Sequence, residues 1–146
     1  MINLSKLRIL IVEDQDSVAT LIRRGLRGIG FREIEHRPSA ETALAALQED
    51  PFDVVVADYM LGGPTGLDLL DRMRRAPGLG DVPFIIVTGH GEEPIVRAAA
   101  AQRVAGFLLT PVSAEALTER ILKALRRRAR ETGPSTPDQE WPGFKL

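Results

Sequence analysis

The chain has no cysteine among its 146 residues, which excludes a disulfide framework and any thiolate metal site. Aromatic residues are scarce at 5%, with a single tryptophan, Trp141, near the C-terminus. Long apolar runs are missing as well: MINLSKLRILIVED at the N-terminus meets charge too soon for a secretory core or a membrane span. A cytoplasmic location without a membrane span is therefore the expectation. A strong net charge is also absent, the formal value being -1, so the chain as a whole lacks the basic balance of a DNA-binding protein. That balance hides an asymmetry. Residues 1–112 carry twelve basic and fifteen acidic side chains, whereas residues 113–146 carry seven and five.

What is present is 44% hydrophobic residues, enough for one domain with a substantial core and an extension. Short apolar runs alternate with helical patterns. LRILIV (7–12), FDVVVA (52–57), VPFIIV (82–87) and AGFLL (105–109) read as strands buried on both faces. FREIEH (31–36) alternates and reads as an edge strand. Val18, Leu21, Ile22, Leu26 and Ile29 recur at helical spacing. Ser39 can cap a helix over 40–48, and Ser113 another that begins near 114. Helical segments at 66–76 and 92–102 complete the set. Five strands with intervening helices predict an α/β fold, a doubly wound five-stranded parallel sheet covered on both faces. Such sheets collect ligands at the carboxyl ends of their strands.

At those ends stand Glu13 and Asp14, then Asp58, then Thr88. Three converging carboxylates repel one another unless a cation sits among them, and hard oxygen ligands select Mg²⁺. Asp58 is central, so it can also act as a nucleophile toward a phosphoryl group. The plainer alternative is that these acids cap helices and face water.

Together, ILIVED, the loop DYMLGGPTG from Asp58 to Gly66, IIVTG with Thr88, and FLLTP with Pro111 resemble the CheY-like receiver domain of bacterial response regulators. The resemblance covers residues 5–128. It implies a flavodoxin-like sheet, Mg²⁺ held by Glu13, Asp14, Asp58 and the backbone carbonyl of Met60, and phosphorylation of Asp58 by a histidine kinase. It further implies that the Thr88 hydroxyl turns toward the phosphoryl group, that Phe107 is the aromatic switch, and that Gly66 ends the loop. Thr88 and Phe107 can equally be ordinary strand-end and core residues. One position departs from the family: Thr110 stands where a lysine precedes the proline, and the only lysines are Lys6, Lys123 and Lys145. A threonine brings a hydrogen bond but no charge. Metal and nucleophile remain, while transmission of phosphorylation loses its ammonium.

No DNA-binding or catalytic output segment is expected after the last helix, and no enzyme activity is expected. An input other than phosphorylation would have to come from the tail. There Leu117, Ile121, Ala124 and Leu125 give way to Arg126, Arg127, Arg128 and Arg130, more positive charge than a helix C-terminus requires. Guanidinium matches phosphate oxygens and the O6/N7 edge of guanine. Asp138 can accept from the N1 and N2 donors of guanine, and Trp141 offers a stacking face. The set resembles the Cle group of CheY-like proteins, which implies that cyclic di-GMP binds Arg126, Arg127, Arg130, Asp138 and Trp141. The resemblance also implies docking on a flagellar motor switch protein at the flagellated pole. The Arg126/Arg130 spacing matches the RxxxR half of PilZ sites, but the D/N-x-S-x-x-G half is not matched. The expected division is a receiver domain over 1–125 and an arginine-rich extension over 126–146, mobile without ligand. Two alternatives stay open: a phosphoacceptor with an incidental basic tail, and an adaptor whose tail touches nucleic acid or anionic lipid nonspecifically.

Overall fold

The computed structural model of the chain describes residues 2–132. A short 3-10 turn, Leu4–Lys6, leads into β1 (Arg8–Val12), α1 (Asp16–Ile29), β2 (Glu33–Arg37), α2 (Ala40–Glu49) and β3 (Val54–Ala57). Then follow α3 (Gly66–Arg75), β4 (Phe84–Thr88), α4 (Glu93–Ala101), β5 (Gly106–Leu109) and α5 (Ala114–Thr132). All strands are parallel, in the order β2-β1-β3-β4-β5. The predicted doubly wound sheet is the one observed.

Alternation along the strands sorts side chains to two cores. Leu10, Val12, Val55, Ala57, Phe84 and Ile86 pack with α2, α3 and α4, while Ile9, Ile11, Val54, Val56, Ile85 and Val87 pack with α1 and α5. Fully burying each such Val, Leu, Ile or Phe side chain contributes about 1.5 to 3 kcal/mol, and this two-sided burial holds the strands in register. Helix starts follow local chemistry. Ser39 and Thr65 each form a capping box, with Thr42 and Asp68 respectively, and Ser113 Oγ accepts from Ala116 N at 3.0 Å.

Three expectations shift. The run AGFLL, read as a strand buried on both faces, is the second edge strand, β5, in which Gly106 is buried but Phe107 and Leu108 are half-buried and Leu109 is exposed, because no strand among the described residues covers its outer side. Phe31 is not a strand residue: Gly30 turns the chain at φ 136°, Phe31 N donates to Leu26 O, and the ring is fully buried beneath the sheet. The edge strand therefore begins at Glu33. Leu21 lies off the buried face of α1 and is 69% exposed, whereas Ala19 and Leu26 are buried there. At the other end of the chain, α5 passes through residues 125 and 126 without interruption.

Candidate functional site

Register alone brings the acids together. Val12 pairs with Ala57, so the residues immediately after them, Glu13 and Asp58, leave two adjacent strands side by side. Asp58 N donates to Val12 O at 3.0 Å, and Glu13 N donates to Arg37 O at 3.1 Å. One ligand atom from each of Glu13, Asp14 and Asp58 lies within 4.8 Å of the others. Their surroundings differ: Glu13 is buried, Asp58 half-buried and Asp14 exposed. His36 Nε2 donates to the Glu13 carbonyl at 2.6 Å, tying the edge strand to the acidic end of β1.

Burial first, then a hydrogen bond to Asp14 and the charges of Asp58 and Asp14, push the Glu13 carboxyl up to about 8, against a lowering contact from Gln15 N. That contact is 3.2 Å long. Asp58 Oδ1 is buried without a hydrogen-bond partner. A buried carboxylate oxygen left unpaired costs free energy, and a hard cation coordinated by all three acids would remove both that cost and the repulsion. The donor set therefore fits a divalent ion such as Mg²⁺.

Gly66 explains how the loop after Asp58 closes. Gly66 N donates to Tyr59 O at 2.8 Å, and a Cβ at position 66 would lie 2.4 Å from the Asp58 carbonyl oxygen. No side chain fits there. The exposed side chain of Met60 stands in the same loop.

Thr88 is 1% exposed and its hydroxyl accepts from His90 N at 3.2 Å. Thr110 N donates to Thr88 O at 2.9 Å, and a cis peptide joins Thr110 to Pro111. Beside Asp58 lies a cavity of about 110 Å³, bounded in part by Glu13, Val18, Thr88 and Thr110. It occupies the side from which a cation at position 110 would reach Asp58. Phe107 is half-buried and packs at the border of the core beneath α2, α3 and α4.

Arg126, Arg127 and Arg130 are not among the described residues that line this cavity. Arg126, Arg127 and Arg130 all stand on α5, Arg127 half-buried and the other two exposed. Asp138 and Trp141 lie outside the described residues. Two features escaped the sequence reading. The burial of Glu13 depends on distant segments, and the half-buried state of Arg128 depends on where α5 packs. Among the described residues no helix is long and apolar enough to cross a membrane.

The chain is similar to known proteins. The model of the response regulator receiver domain matches residues 9–122. Chemotaxis protein CheY of Pseudomonas aeruginosa is 33% identical over 121 residues, covering 83% of this chain and 98% of that protein. CheY-3 of Vibrio cholerae is 31% identical, covering 83% and 93%. A putative response regulator from Chloroflexus aurantiacus superposes with a TM-score of 0.76 at 28% identity, covering 84% of this chain and 100% of that structure. With its family model spanning most of the chain, this protein belongs to the response regulator receiver domain family.

Proposed function

We propose that this receiver-domain signalling protein binds cyclic di-GMP through the arginine-rich end of α5 and docks on a flagellar motor component to modulate motility. The observation that carries this reading is the single uninterrupted helix that presents Arg126, Arg127, Arg128 and Arg130 beyond the buried Ala124. A guanidinium fork pairs with phosphate and with the Hoogsteen edge of guanine, which suits a guanine nucleotide better than an uncharged ligand. Asp138 and Trp141 are assigned the Watson–Crick edge and the stacking face. The similarity to proteins named for chemotaxis supports the motility direction. Calorimetric titration tests it: cyclic di-GMP should bind and cyclic di-AMP should bind more weakly. Equal binding of both, or of neither, removes the reading.

A second reading shares the same chain. The unpaired Asp58 Oδ1 and the adjacent acids favour a Mg²⁺-dependent phosphoacceptor in a histidine-kinase pathway. Glu13, Asp14, Asp58 and the Met60 carbonyl would hold the ion, which supplies neutralisation of the phosphoryl charge when bound. Asp58 presents the attacking carboxylate oxygen. The Thr88 hydroxyl, which accepts from the His90 amide, keeps its own proton to donate to a phosphoryl oxygen. At the family's lysine position Thr110 brings no charge, so the phosphorylated state is anchored more weakly than in a lysine-containing receiver.

A further inference from the structure

At the end of the sheet opposite Asp58 lies a cleft of about 340 Å³, within the size range of small-molecule sites. Its walls come from three separate parts of the chain. Arg74 stands at the end of α3, Arg103 in the turn between α4 and β5, and Arg127 and Arg128 on α5. Among the described residues the lining also includes the carboxylate of Asp81. Pro83, Phe84, Ala105 and Ala124 supply an apolar floor.

The placement of each arginine has a local cause. Ala124, Arg127 and Arg128 follow the i, i+3, i+4 spacing of one helix face, and Ala124 is buried, so its neighbours on that face are drawn toward the body. Arg126 and Arg130 are not among the lining residues. Arg103 occupies the residue that turns the chain out of α4: its N–H donates to Ala100 O and that of Val104 to Ala99 O, with φ at 58°. Glycine or asparagine normally fills this left-handed position. An arginine there accepts backbone strain while putting a guanidinium on the cleft wall. Arg74 ties the two neighbouring turns together, donating to Gly80 O and, at 3.4 Å, to Arg103 O.

We infer that this cleft is a nucleotide phosphate site in which Arg103 and Arg128 clamp the ligand against the receiver body, with Arg74 as a positioning residue. The inference rests on the cyclic di-GMP reading for the identity of the ligand and changes where that ligand sits. Instead of lying on the extension alone, it bridges α5 and the turns before β4 and β5. Arginine forks suit phosphate oxygens, the apolar floor suits the face of a base, and Asp81 is an acceptor for guanine N–H donors.

The test is calorimetric titration of the full 146-residue chain with cyclic di-GMP. Arg103→Asn tolerates the left-handed backbone and Arg128→Gln keeps helix propensity, so both variants retain the fold, checked by their melting curves. Each should weaken binding about tenfold or more, while Arg103→Lys recovers only part of the loss because it restores charge without the fork. Arg126→Gln should cost less than either. If the unaltered chain binds and Arg103→Asn and Arg128→Gln bind equally well, the cleft is wrong and the nucleotide reading stands. If the unaltered chain does not bind cyclic di-GMP, both fall together.

Discussion

The two ends of β4 carry opposite chemistry. Thr88, at its carboxyl end, borders a cavity with Glu13 and Asp58, while Phe84, at its start, borders a cleft with Arg74, Arg103, Arg127 and Arg128. A five-residue strand separates them by roughly 13 Å. The acidic end is assembled by the register of two adjacent strands. The basic end is assembled by two turns and the flank of a helix, and its charges stand on longer side chains nearer the surface. Opposite accumulations of charge thus rest on different supports: the first is tolerated because a small cation can be enclosed, the second because guanidiniums remain partly solvated.

The largest effect should separate the ends completely. Asp58→Asn removes the nucleophile, so labelling by acetyl phosphate, read by intact mass, should vanish while nucleotide binding at the arginine end stays within twofold. Persistent labelling would locate the phosphoacceptor elsewhere.

Next in size is Gly66→Ala. With its Cβ forced to 2.4 Å from the Asp58 carbonyl oxygen, the loop or β3 must move, at a cost of about 2 to 3 kcal/mol. Urea denaturation measures this, and a loss below 0.5 kcal/mol would show that the loop closes with room to spare.

The pH response sharpens the contrast further. The Glu13 carboxyl is pushed from 4.5 up to about 8, so between those values the folded chain binds more protons than the unfolded one. Its contribution to stability is complete below about 4.5 and is lost as pH rises through about 8. In EDTA, the urea midpoint should fall between pH 5.5 and 8, and Glu13→Gln should flatten that fall. Because Mg²⁺ competes with the proton, millimolar Mg²⁺ should raise the midpoint more at pH 8 than at pH 5.5. Equal Mg²⁺ effects at both would contradict the assignment of Glu13 to the ion.

Thr110→Lys should be gentler. A lysine beside the 110 Å³ cavity can pair with Asp58 Oδ1, adding about 1 kcal/mol of stability without Mg²⁺ and tightening beryllofluoride binding. An unchanged beryllofluoride affinity would remove Thr110 as the weak point. Smallest of all, Arg126→Gln changes an exposed residue that lines neither cavity and should alter stability by no more than about 0.5 kcal/mol, by thermal melting.

Much of this protein was legible in its sequence because its three central strands, β1, β3 and β4, are buried on both faces and therefore read as continuous apolar runs. The residues after those runs have to meet at one edge, which brings Glu13, Asp14, Asp58 and Thr88 to the same end of the sheet. The caps at Ser39 and Ser113 were equally local. Phe31 and Leu21 were misplaced because an apolar residue beside a strand or helix does not reveal which surface it meets.

The arginine run was visible as composition, but its division was not. Only the packing of Ala124 turns Arg127 and Arg128 toward a wall to which Arg74 and Arg103 contribute from segments 24 or more residues away in sequence. In the same way, the carboxylate of Glu13 was evident from its strand end, whereas its raised affinity for a proton came from burial by neighbouring elements. Periodicity and strand ends are properties of a local stretch of chain. Desolvation and the meeting of like charges belong to surfaces that exist only once distant stretches have packed.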